Sequence, residues 1–514
     1  MKSVWKNITR KNDIQLSRQG MKQQLAKGVA WLSAAKLIVN GLSTLSTLIL
    51  ARYLTPDDFG LVAFATTMLS VISAVTELSL ASALIHHRNP TDVHYNTAWT
   101  LNVLRSSTIG GIFCLAAPWI SDTHGDPRLQ SVMMILGITL ALNGLTNPKM
   151  VVLTKNLVFW QEFVRNVAER LAGVTVGIVI AVIYQSYWAL IASTVVSQLV
   201  SIAVSYLVYP YRPRVSFQHA KQLWSFSIWL TLGQIVNTLN WKFDHLLVGF
   251  LLGNKALGYY TVGDNLSTKP TREMISPLET TLFPGFSKIG EDKQRLKSAY
   301  SKAQTLVAMI ALPVGVGIAL LSSSIVLLFL GEKWEPVILV IQIMAGSVAL
   351  QTLSSAVQPL ALSQGQTKLL FKRDLISFAI RIPLIVVGLW TAGLLGVLIG
   401  RAISTVVSVH MNMTIVKMII GTSIREQWLA NIRSLTGVVS MVVLVGGLHY
   451  QLGVGHSVLQ MITHLILFIF VGAVAYASVV LGLWLLVGKP HGPEHECISL
   501  LQSLIGKVKA RLNK

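Results

Sequence analysis

The sequence predicts an all-α integral membrane protein with about 14 transmembrane helices. Three observations lead to this fold class. Apolar residues make up 53% of the 514 residues, charged residues only 12%, and the mean hydropathy is +0.60. Apolar segments about 20 residues long, the length of one bilayer crossing, follow one another along the chain. Lys and Arg residues are concentrated on every second connection between these segments, as in loops that stay cytoplasmic.

The predicted spans follow from hydropathy averaged over a window of about 19 residues. They cover residues 27–50, 60–85, 96–120, 129–151, 159–184, 187–209, 223–252, 257–283, 303–330, 336–362, 375–393, 397–416, 434–449 and 459–487. The even number of spans places both termini on the same side of the membrane.

Charge indicates which side that is. The 42 Lys and Arg residues exceed the 21 Asp and Glu residues, which gives a net charge of +21. Both tails and the connections near Arg212 and Lys288 are basic, whereas those near Asp57 and Asp122 are acidic. Both termini are therefore predicted to be cytoplasmic. Nucleic-acid binding is excluded, because the cations lie in small clusters separated by membrane spans and form no continuous basic surface.

A weak internal repeat divides most of the chain into two halves. Displaced by 198 positions, Trp31 aligns with Trp229 and Gly60 aligns with Gly258. A second block, which includes Phe163, repeats after a displacement of 208 positions. Each half contains an even number of spans, so the two copies have parallel topology about an axis along the membrane normal. The prediction is two homologous six-helix bundles around a central cavity, plus two extra C-terminal helices.

The resulting domain organisation has five parts. They are a cytoplasmic basic tail (1–26), an N-terminal bundle (27–213), a C-terminal bundle (214–420), two additional transmembrane helices (421–488) and a cytoplasmic amphipathic tail (489–514). No removable signal peptide is predicted, because the first apolar segment is long and follows a polar, basic tail. The two cysteines, Cys114 and Cys497, are too few for a disulfide framework.

Charged residues within the spans are candidate functional groups, because each costs at least about 2.5–3.5 kcal/mol at the bilayer centre. The cations are Lys36, Arg105, Arg165, Arg170, Lys242, Lys269, Arg272, Arg381 and Arg401, and the acids are Glu77, Glu162, Glu169, Asp244, Asp264, Glu273 and Glu279. Some can instead form structural pairs, since Arg165 and Glu169 stand four residues apart on one helix face, as do Lys269 and Glu273. We expect the side chains of Arg170, Glu162 and Glu279 near helix ends, where they can instead extend to the membrane–water interface.

The cations suit a bulky anionic substrate such as a pyrophosphate, which Arg binds bidentately and Lys binds as a point charge. The predicted substrate-binding residues are Lys36, Arg105, Lys242, Lys269, Arg272, Arg381 and Arg401. Glu77, Asp244 and Asp264 are the predicted ion-coupling residues, with H⁺ or Na⁺ as the coupling ion. No cofactor or metal site is predicted.

Catalysis is disfavoured. The sequence contains no G-x-x-x-x-G-K-[ST] phosphate loop. The connections predicted to be non-cytoplasmic are short and hold no cluster of His, Cys or carboxylate residues that could form a metal or glycosyl-transfer site. A transporter is therefore predicted.

Four segments resemble the bacterial polysaccharide-transport family of the multidrug, oligosaccharidyl-lipid and polysaccharide exporter superfamily. They are LARYLTPDDFGLVAF (50–64), LLGNKALGYYTVGDNL (251–266), LFPGFSKIGEDKQRLK (282–297) and FLGEKWEPVI (329–338). The resemblance covers nearly the whole chain and points to the Wzx-type flippases, in particular the colanic acid exporter branch.

This resemblance implies a flippase that moves polyprenyl-pyrophosphate-linked oligosaccharide repeat units across the bacterial inner membrane for exopolysaccharide, capsule or O-antigen export. The implied partners are the lipid-linked substrate, membrane lipids and the polysaccharide polymerase and export machinery. The resemblance also implies cations in the first and eighth spans, where this chain has Lys36, Lys269 and Arg272. Two alternatives remain: a cation-coupled exporter of small drugs on the same scaffold, and a membrane polymerase or ligase of the same sugars.

Overall fold

The computed structural model describes residues 18–76, 80–87, 90–156, 158–290, 292–455 and 457–488, and these residues form helices and short connections without a β-strand. The helices are α1 (Arg18–Tyr53), α2 (Pro56–Thr76), α3 (Leu80–His86), α4 (Asp92–His124), α5 (Arg128–Asn143), α6 (Met150–Lys155), α7 (Trp160–Tyr184), α8 (Trp188–Val208), α9 (Ala220–Ile289), α10 (Lys293–Leu320), α11 (Ser322–Ile325), α12 (Val337–Gln351), α13 (Val357–Ser363), α14 (Thr367–Ile420), α15 (Ile424–Ala430), α16 (Ile432–Leu452) and α17 (Val458–Leu486). The predicted all-α class is confirmed.

Two of these helices, α9 and α14, each consist of two helical arms that form a hairpin. The backbone of α9 breaks at Gly253, where φ is +81°, and that of α14 breaks at Ala392 and Gly393. Glycine tolerates the positive φ that each break requires. Each helix therefore has a first arm before the break and a second arm after it. Among the described residues ten helices are long and apolar enough to cross a membrane. With the arms of α9 and α14 counted separately and the shorter α5 included, the helices are compatible with fourteen crossings.

The predicted fourth span, residues 129–151, is divided between α5 and α6. The division lies at Asn147, whose side-chain amide donates to the backbone carbonyls of Ser205 (3.1 Å) and Tyr209 (2.6 Å). Pro148 follows and cannot donate a backbone hydrogen bond. The chain therefore turns here, and its polar backbone is tied to the end of α8.

The connections lie at two opposite ends of the helix bundle. The Gly253 end contains Gly253 and residues 54–55, 125–127 and 331–336, and the Gly290 end contains Gly290 and residues 209–219 and 364–366. Exposed aromatic side chains mark the Gly253 end on several helices: Trp119 on α4, Tyr184 on α7, Trp390 on α14 and Tyr450 on α16. Such aromatic side chains are typical of a membrane–water interface.

A reciprocal contact relates the two halves. A methyl group on Gly60 would lie 1.7 Å from the carbonyl oxygen of Asn254, and one on Gly258 would lie 1.8 Å from the carbonyl oxygen of Pro56. Gly60 and Gly258 are 198 residues apart, and so are Pro56 and Asn254. This is the displacement of the sequence repeat. An exchange of equivalent contacts is the signature of a two-fold relation. It supports the duplication, while the predicted bounds of the two bundles stay a prediction.

The largest buried apolar cluster joins both halves and includes Phe64, Phe113, Tyr260 and Met344. The additional helices α16 and α17 attach outside it, where the hydroxyl of Tyr476 donates to the carbonyl of Met309 on α10 at 2.8 Å. Glu77, Cys497, the first 17 residues of the basic tail and the whole predicted amphipathic tail (489–514) lie outside the described residues.

Replacing Gly60 with alanine tests the reciprocal contact. The added methyl group meets a backbone carbonyl, which cannot move aside as a flexible side chain can, so we expect the free energy of unfolding to fall by about 1–3 kcal/mol. Gly258→Ala should have the same effect. Gly111→Ala on α4 is the control, because nothing lies within 4 Å of its added methyl group. Thermal unfolding in detergent measures the difference, and equal stability of all three variants would contradict a close contact here.

Candidate functional site

A network of charged side chains lies inside the second half, where the arms of α9 and α14 meet. Asp244 is 1% exposed, and its Oδ2 accepts hydrogen bonds from Arg381 Nη2 (2.7 Å) and Arg401 Nη1 (3.0 Å). Tyr260 donates its hydroxyl proton to the same oxygen. Arg401 also donates through Nη2 to Oδ1 of Asp264 at 3.0 Å. The network thus connects all four arms.

His245 joins the two carboxylates of this network. Its Nδ1 lies 3.2 Å from Oδ1 of Asp244, and its Nε2 lies 3.7 Å from Oδ2 of Asp264. The imidazole packs edge-on against Tyr260, with 5.0 Å between the ring centroids. One ring nitrogen therefore faces each carboxylate, and the one that faces Asp244 lies within hydrogen-bond distance.

Charge balance keeps the network stable away from water. Removing one partner of a buried ion pair costs about 3–5 kcal/mol, because the remaining charge is left without a counterion. Here the carboxylates of Asp244 and Asp264 are matched by the guanidinium groups of Arg381 and Arg401. The network consequently holds the two hairpins together as one polar core.

A groove of about 490 Å³ lies between α1 and α7 on one side and the second arm of α9 on the other. Lys36 on α1 lines it and donates to the hydroxyl oxygen of Ser276 on α9 at 3.2 Å. Glu162, Asn166 and Glu169 line it from α7, at a spacing that puts them on one helix face. The groove is therefore formed by both halves.

Further cations lie beside the groove on α7 and α9. Lys269 interacts electrostatically with Arg170 on α7 and with Lys242 on the first arm of α9. The guanidinium of Arg272 stacks over the indole of Trp241, 4.0 Å from the ring centroid. Together with Lys36, these side chains give the region cations from three helices.

A side cavity of about 540 Å³ lies within the second half, between α9, α12, α13 and α14. Arg272, Arg381 and Arg401 reach its wall, and amide and hydroxyl side chains form much of the remainder. Glu273 and Ser276 border both this cavity and the groove. The two volumes therefore lie next to each other.

The structure brings together some of the predicted site residues and separates others. Lys36 lines the groove and Arg272 lines the side cavity. Lys242 and Lys269 interact with each other but line neither volume. Arg381 and Arg401 form one network with Asp244 and Asp264. Arg105 on α4 donates to the carbonyl of Thr76 on α2 at 3.5 Å, and it lines neither volume. The assignments to substrate binding and ion coupling stay predictions.

Arg170 is one of the candidate intramembrane cations, but it was not among the predicted substrate-binding residues. It lies well inside α7, next to Glu169 in the groove wall, and it faces Lys269 across the halves. The available signal was the spacing of Glu162, Asn166 and Glu169, which marks a polar face on an otherwise apolar helix. Among the residues that the structure describes, no group of His, Cys, Asp or Glu side chains is arranged to hold a metal ion.

The Gly253 end is closed by contacts between the halves. Trp334 is completely buried, packs against Phe59, and donates its indole N–H to the carbonyl of Ala51 at 2.7 Å. Nearby, Lys333 donates to the carbonyl of Arg52 at 2.9 Å. These residues come from the end of α1, the start of α2 and the connection before α12, so one half is held to the other.

A second set of contacts completes this closure. Arg128 binds the carboxylates of Asp57 and Asp126, and Asn254 donates to Asp126 Oδ2 at 2.9 Å. His124 contacts the side-chain oxygen of Asn254 at 2.9 Å. The Arg128 side chain, as a hydrogen-bond donor, holds the pKa of Asp126 below its ordinary value of 3.8.

The arrangement suits a carrier that opens to one side at a time. The groove and the side cavity lie between the middle of the bundle and the Gly290 end, because their lining residues belong to those portions of α1, α7, α9 and α14. The Gly253 end is fastened shut. A molecule bound between the halves could leave there only after these contacts separate.

Solved structures with the same fold place the chain among multi-pass helical membrane proteins. It is similar to the lipid II flippase MurJ in an inward closed conformation, with a TM-score of 0.71 and 14% identity over 88% of this chain and 98% of that one. It also resembles an inward-facing multidrug resistance transporter of the MATE family, with a TM-score of 0.55 and 14% identity over 76% of this chain and 99% of that one.

Residues 49–339 match the model of the family described as "Polysaccharide biosynthesis protein", and the chain belongs to that family. It is 25% identical over 419 residues to the lipopolysaccharide biosynthesis protein WzxC of Escherichia coli (strain K12), covering 79% of this chain and 84% of that protein. It is 24% identical over 351 residues to the succinoglycan biosynthesis transport protein ExoT of Rhizobium meliloti (strain 1021), covering 68% and 71% of the two chains. The predicted family is confirmed.

Acidification should weaken the closure at Asp126. A carboxyl group whose pKa is lowered in the folded protein contributes stability above its unfolded pKa and loses that contribution as the pH falls through the folded pKa. We therefore expect the wild type to lose more thermal stability than Asp126→Asn between roughly pH 6 and roughly pH 3. Asp122→Asn is the control, since this exposed carboxylate lies on the last turns of α4. Identical pH profiles for the wild type and Asp126→Asn would contradict the expected role of the pair.

Proposed function

We propose that this protein is a flippase that moves polyprenyl-pyrophosphate-linked oligosaccharide repeat units from the inner to the outer leaflet of the bacterial inner membrane. The exported product is an exopolysaccharide, a capsule or O-antigen. Membership of the polysaccharide biosynthesis family supports this function. The names of the relatives agree with it, since one is a succinoglycan biosynthesis transport protein and a protein of the same fold is a lipid II flippase.

The observation that carries the proposal is that cations from both halves lie close to one groove. Lys36 of α1 lines the groove together with the carboxylates of Glu162, Glu169 and Glu273. Beside it, Lys269 of α9 interacts electrostatically with Arg170 of α7 and Lys242 of α9. A pyrophosphate offers several anionic oxygens to such a cluster, and charge-assisted hydrogen bonds of this kind are roughly twice as strong as neutral ones. Because the cations belong to both halves, a bound pyrophosphate would draw the halves together on the side where it enters.

The transport cycle follows from the closed Gly253 end. With both termini in the cytoplasm, the Gly290 end faces the cytoplasm and the groove receives substrate from the inner leaflet. Separation of Trp334 from Ala51 and of Asn254 from Asp126 then opens the outer side, and the halves rock about their shared core. The partners in this cycle are the lipid-linked substrate and membrane lipids, with the polysaccharide polymerase and export machinery receiving the product.

We propose H⁺ as the coupling ion in preference to Na⁺. The carboxylates of Asp244 and Asp264 are already bound by two guanidinium groups, so a sodium ion would have to displace one of them. His245 lies between the same carboxylates and can accept a proton without displacing a cation. Protonation there changes the charge balance of the polar core that joins α9 to α14.

Neutralising the groove cations tests the flippase function. In liposomes supplied with a labelled polyprenyl-pyrophosphate oligosaccharide, we expect Lys269→Gln with Arg272→Gln to slow translocation roughly tenfold or more, because charge-assisted contacts to the substrate are lost. Membrane insertion should be unchanged. The control double variant, Lys288→Gln with Lys302→Gln, removes the same two charges from exposed positions on α9 and α10.

Two outcomes of this experiment would contradict the proposed function. Wild-type protein that exports a cationic dye but leaves the lipid-linked oligosaccharide in place is a drug exporter. Wild-type protein that moves neither probe is not a flippase for this class of lipid. If the wild type flips the lipid and the Lys269, Arg272 double variant flips it equally fast, only the assigned binding residues are wrong.

An imposed gradient tests the coupling ion. We expect a pH gradient to accelerate translocation by the wild type, and we expect His245→Gln to lose that acceleration while it still equilibrates substrate without a gradient. His410→Gln, an exposed histidine on α14, should respond as the wild type does. Acceleration by a sodium gradient at constant pH, with no response to a pH gradient, would show that the choice of H⁺ is wrong.

A further inference from the structure

The side cavity differs from the groove in the chemistry of its wall. Amide and hydroxyl side chains surround it on several helices, among them Asn237, Asn240, Gln351, Gln358, Ser408 and Asn412. Such groups both donate and accept hydrogen bonds, as the hydroxyl groups of a sugar do. Its volume of about 540 Å³ is within the range of sites that enclose small organic ligands.

Four arginines line this wall, and three of them, Arg373, Arg381 and Arg401, are ion-paired. The fourth, Arg272, stacks on Trp241. Arg381 and Arg401 are bound to Asp244, and Arg373 donates to the carboxylate of Asp374 at 2.7 Å. A second phosphate would have to compete with these carboxylates for the guanidinium groups. An uncharged ligand with many hydroxyl groups meets no such competition, and it can hydrogen-bond to the polar side chains between the pairs.

The position of Trp241 adds a surface for a ring. Its indole lines the side cavity, and Arg272 stacks on it at 4.0 Å from the centroid. The apolar C–H face of a pyranose ring packs well on an indole, while its hydroxyl groups point outward to polar partners. Arg272 therefore stands between the cation cluster of the groove and an aromatic, amide-lined space.

Glu273 and Ser276 border both volumes, so one molecule can extend from the groove into the side cavity. Given the proposed function, we infer that the substrate divides between them: the pyrophosphate occupies the groove and the uncharged sugar residues occupy the side cavity of the second half. The length of sugar chain that this cavity admits then sets which repeat units the protein moves efficiently.

Filling the side cavity tests the inference with two head groups. The probes are a polyprenyl-pyrophosphate tetrasaccharide and a polyprenyl-pyrophosphate monosaccharide on the same lipid, assayed in liposomes. We expect Ser347→Phe and Ser408→Phe to slow the tetrasaccharide far more than the monosaccharide, so that the ratio of the two rates falls roughly tenfold, equivalent to about 1.4 kcal/mol of discrimination. Ser478→Phe, at an exposed position on α17, should leave the ratio unchanged.

A second variant changes hydrogen bonding without adding bulk. Gln351→Leu should also lower the tetrasaccharide rate relative to the monosaccharide rate, because its amide no longer meets sugar hydroxyl groups. An equal change for both head groups in all three cavity variants overturns the inference. If the proposed function itself fails, the wild type moves neither head group, which is a different result. Loss of the groove cations is also distinguishable, because it slows both head groups together.

Discussion

The carboxylate of Asp244 lies between two guanidinium groups in the interior of the second half, and the arrangement of that half depends on it. Arg381 and Arg401 come from the two arms of α14, while Asp244, Tyr260 and Asp264 come from the two arms of α9. Ionised groups are stable at this depth only when each has a counterion and hydrogen bonds. The requirement fixes how the two hairpins meet, and the side cavity is the polar space that remains beside their junction.

The contacts between the halves are of a different kind. At Gly60 and Gly258 the backbones touch because neither residue has a side chain, and the reciprocal pattern follows from the repeat. At the same end of the bundle the halves are also joined by hydrogen bonds from Trp334 to Ala51 and from the Asn254 side chain to Asp126. These side-chain hydrogen bonds are few and can separate, as an opening of this end requires.

The distribution of charge distinguishes binding from structure within the membrane. Lys269 interacts with the like charges of Arg170 and Lys242 and with the carboxylates of Asp264 and Glu273, and it forms no ion pair within 4 Å among the described residues. Arg381 and Arg401 are already compensated. Both sets consist of basic residues within apolar spans, so they look identical in the sequence. Only the distances to the carboxylates distinguish the directly paired arginines of the polar core from the cations near the groove.

Hydropathy, the charge between spans and local strings of residues were sufficient to predict the all-α membrane class, the positions of most spans and the family. The sequence also indicated Lys36, Lys269 and Arg272, since isolated cations in apolar spans are rare. It placed Arg170 among the candidate cations without assigning it to the substrate site, because its proximity to Lys269 of the other half is not visible along the chain. It grouped Arg381 and Arg401 with the substrate cations, although both lie more than 100 positions from their carboxylate partner Asp244. Such pairings are decided only by tertiary structure, because the strength of an ionic contact depends on distance in space and on exclusion of water, and neither quantity is written along the chain.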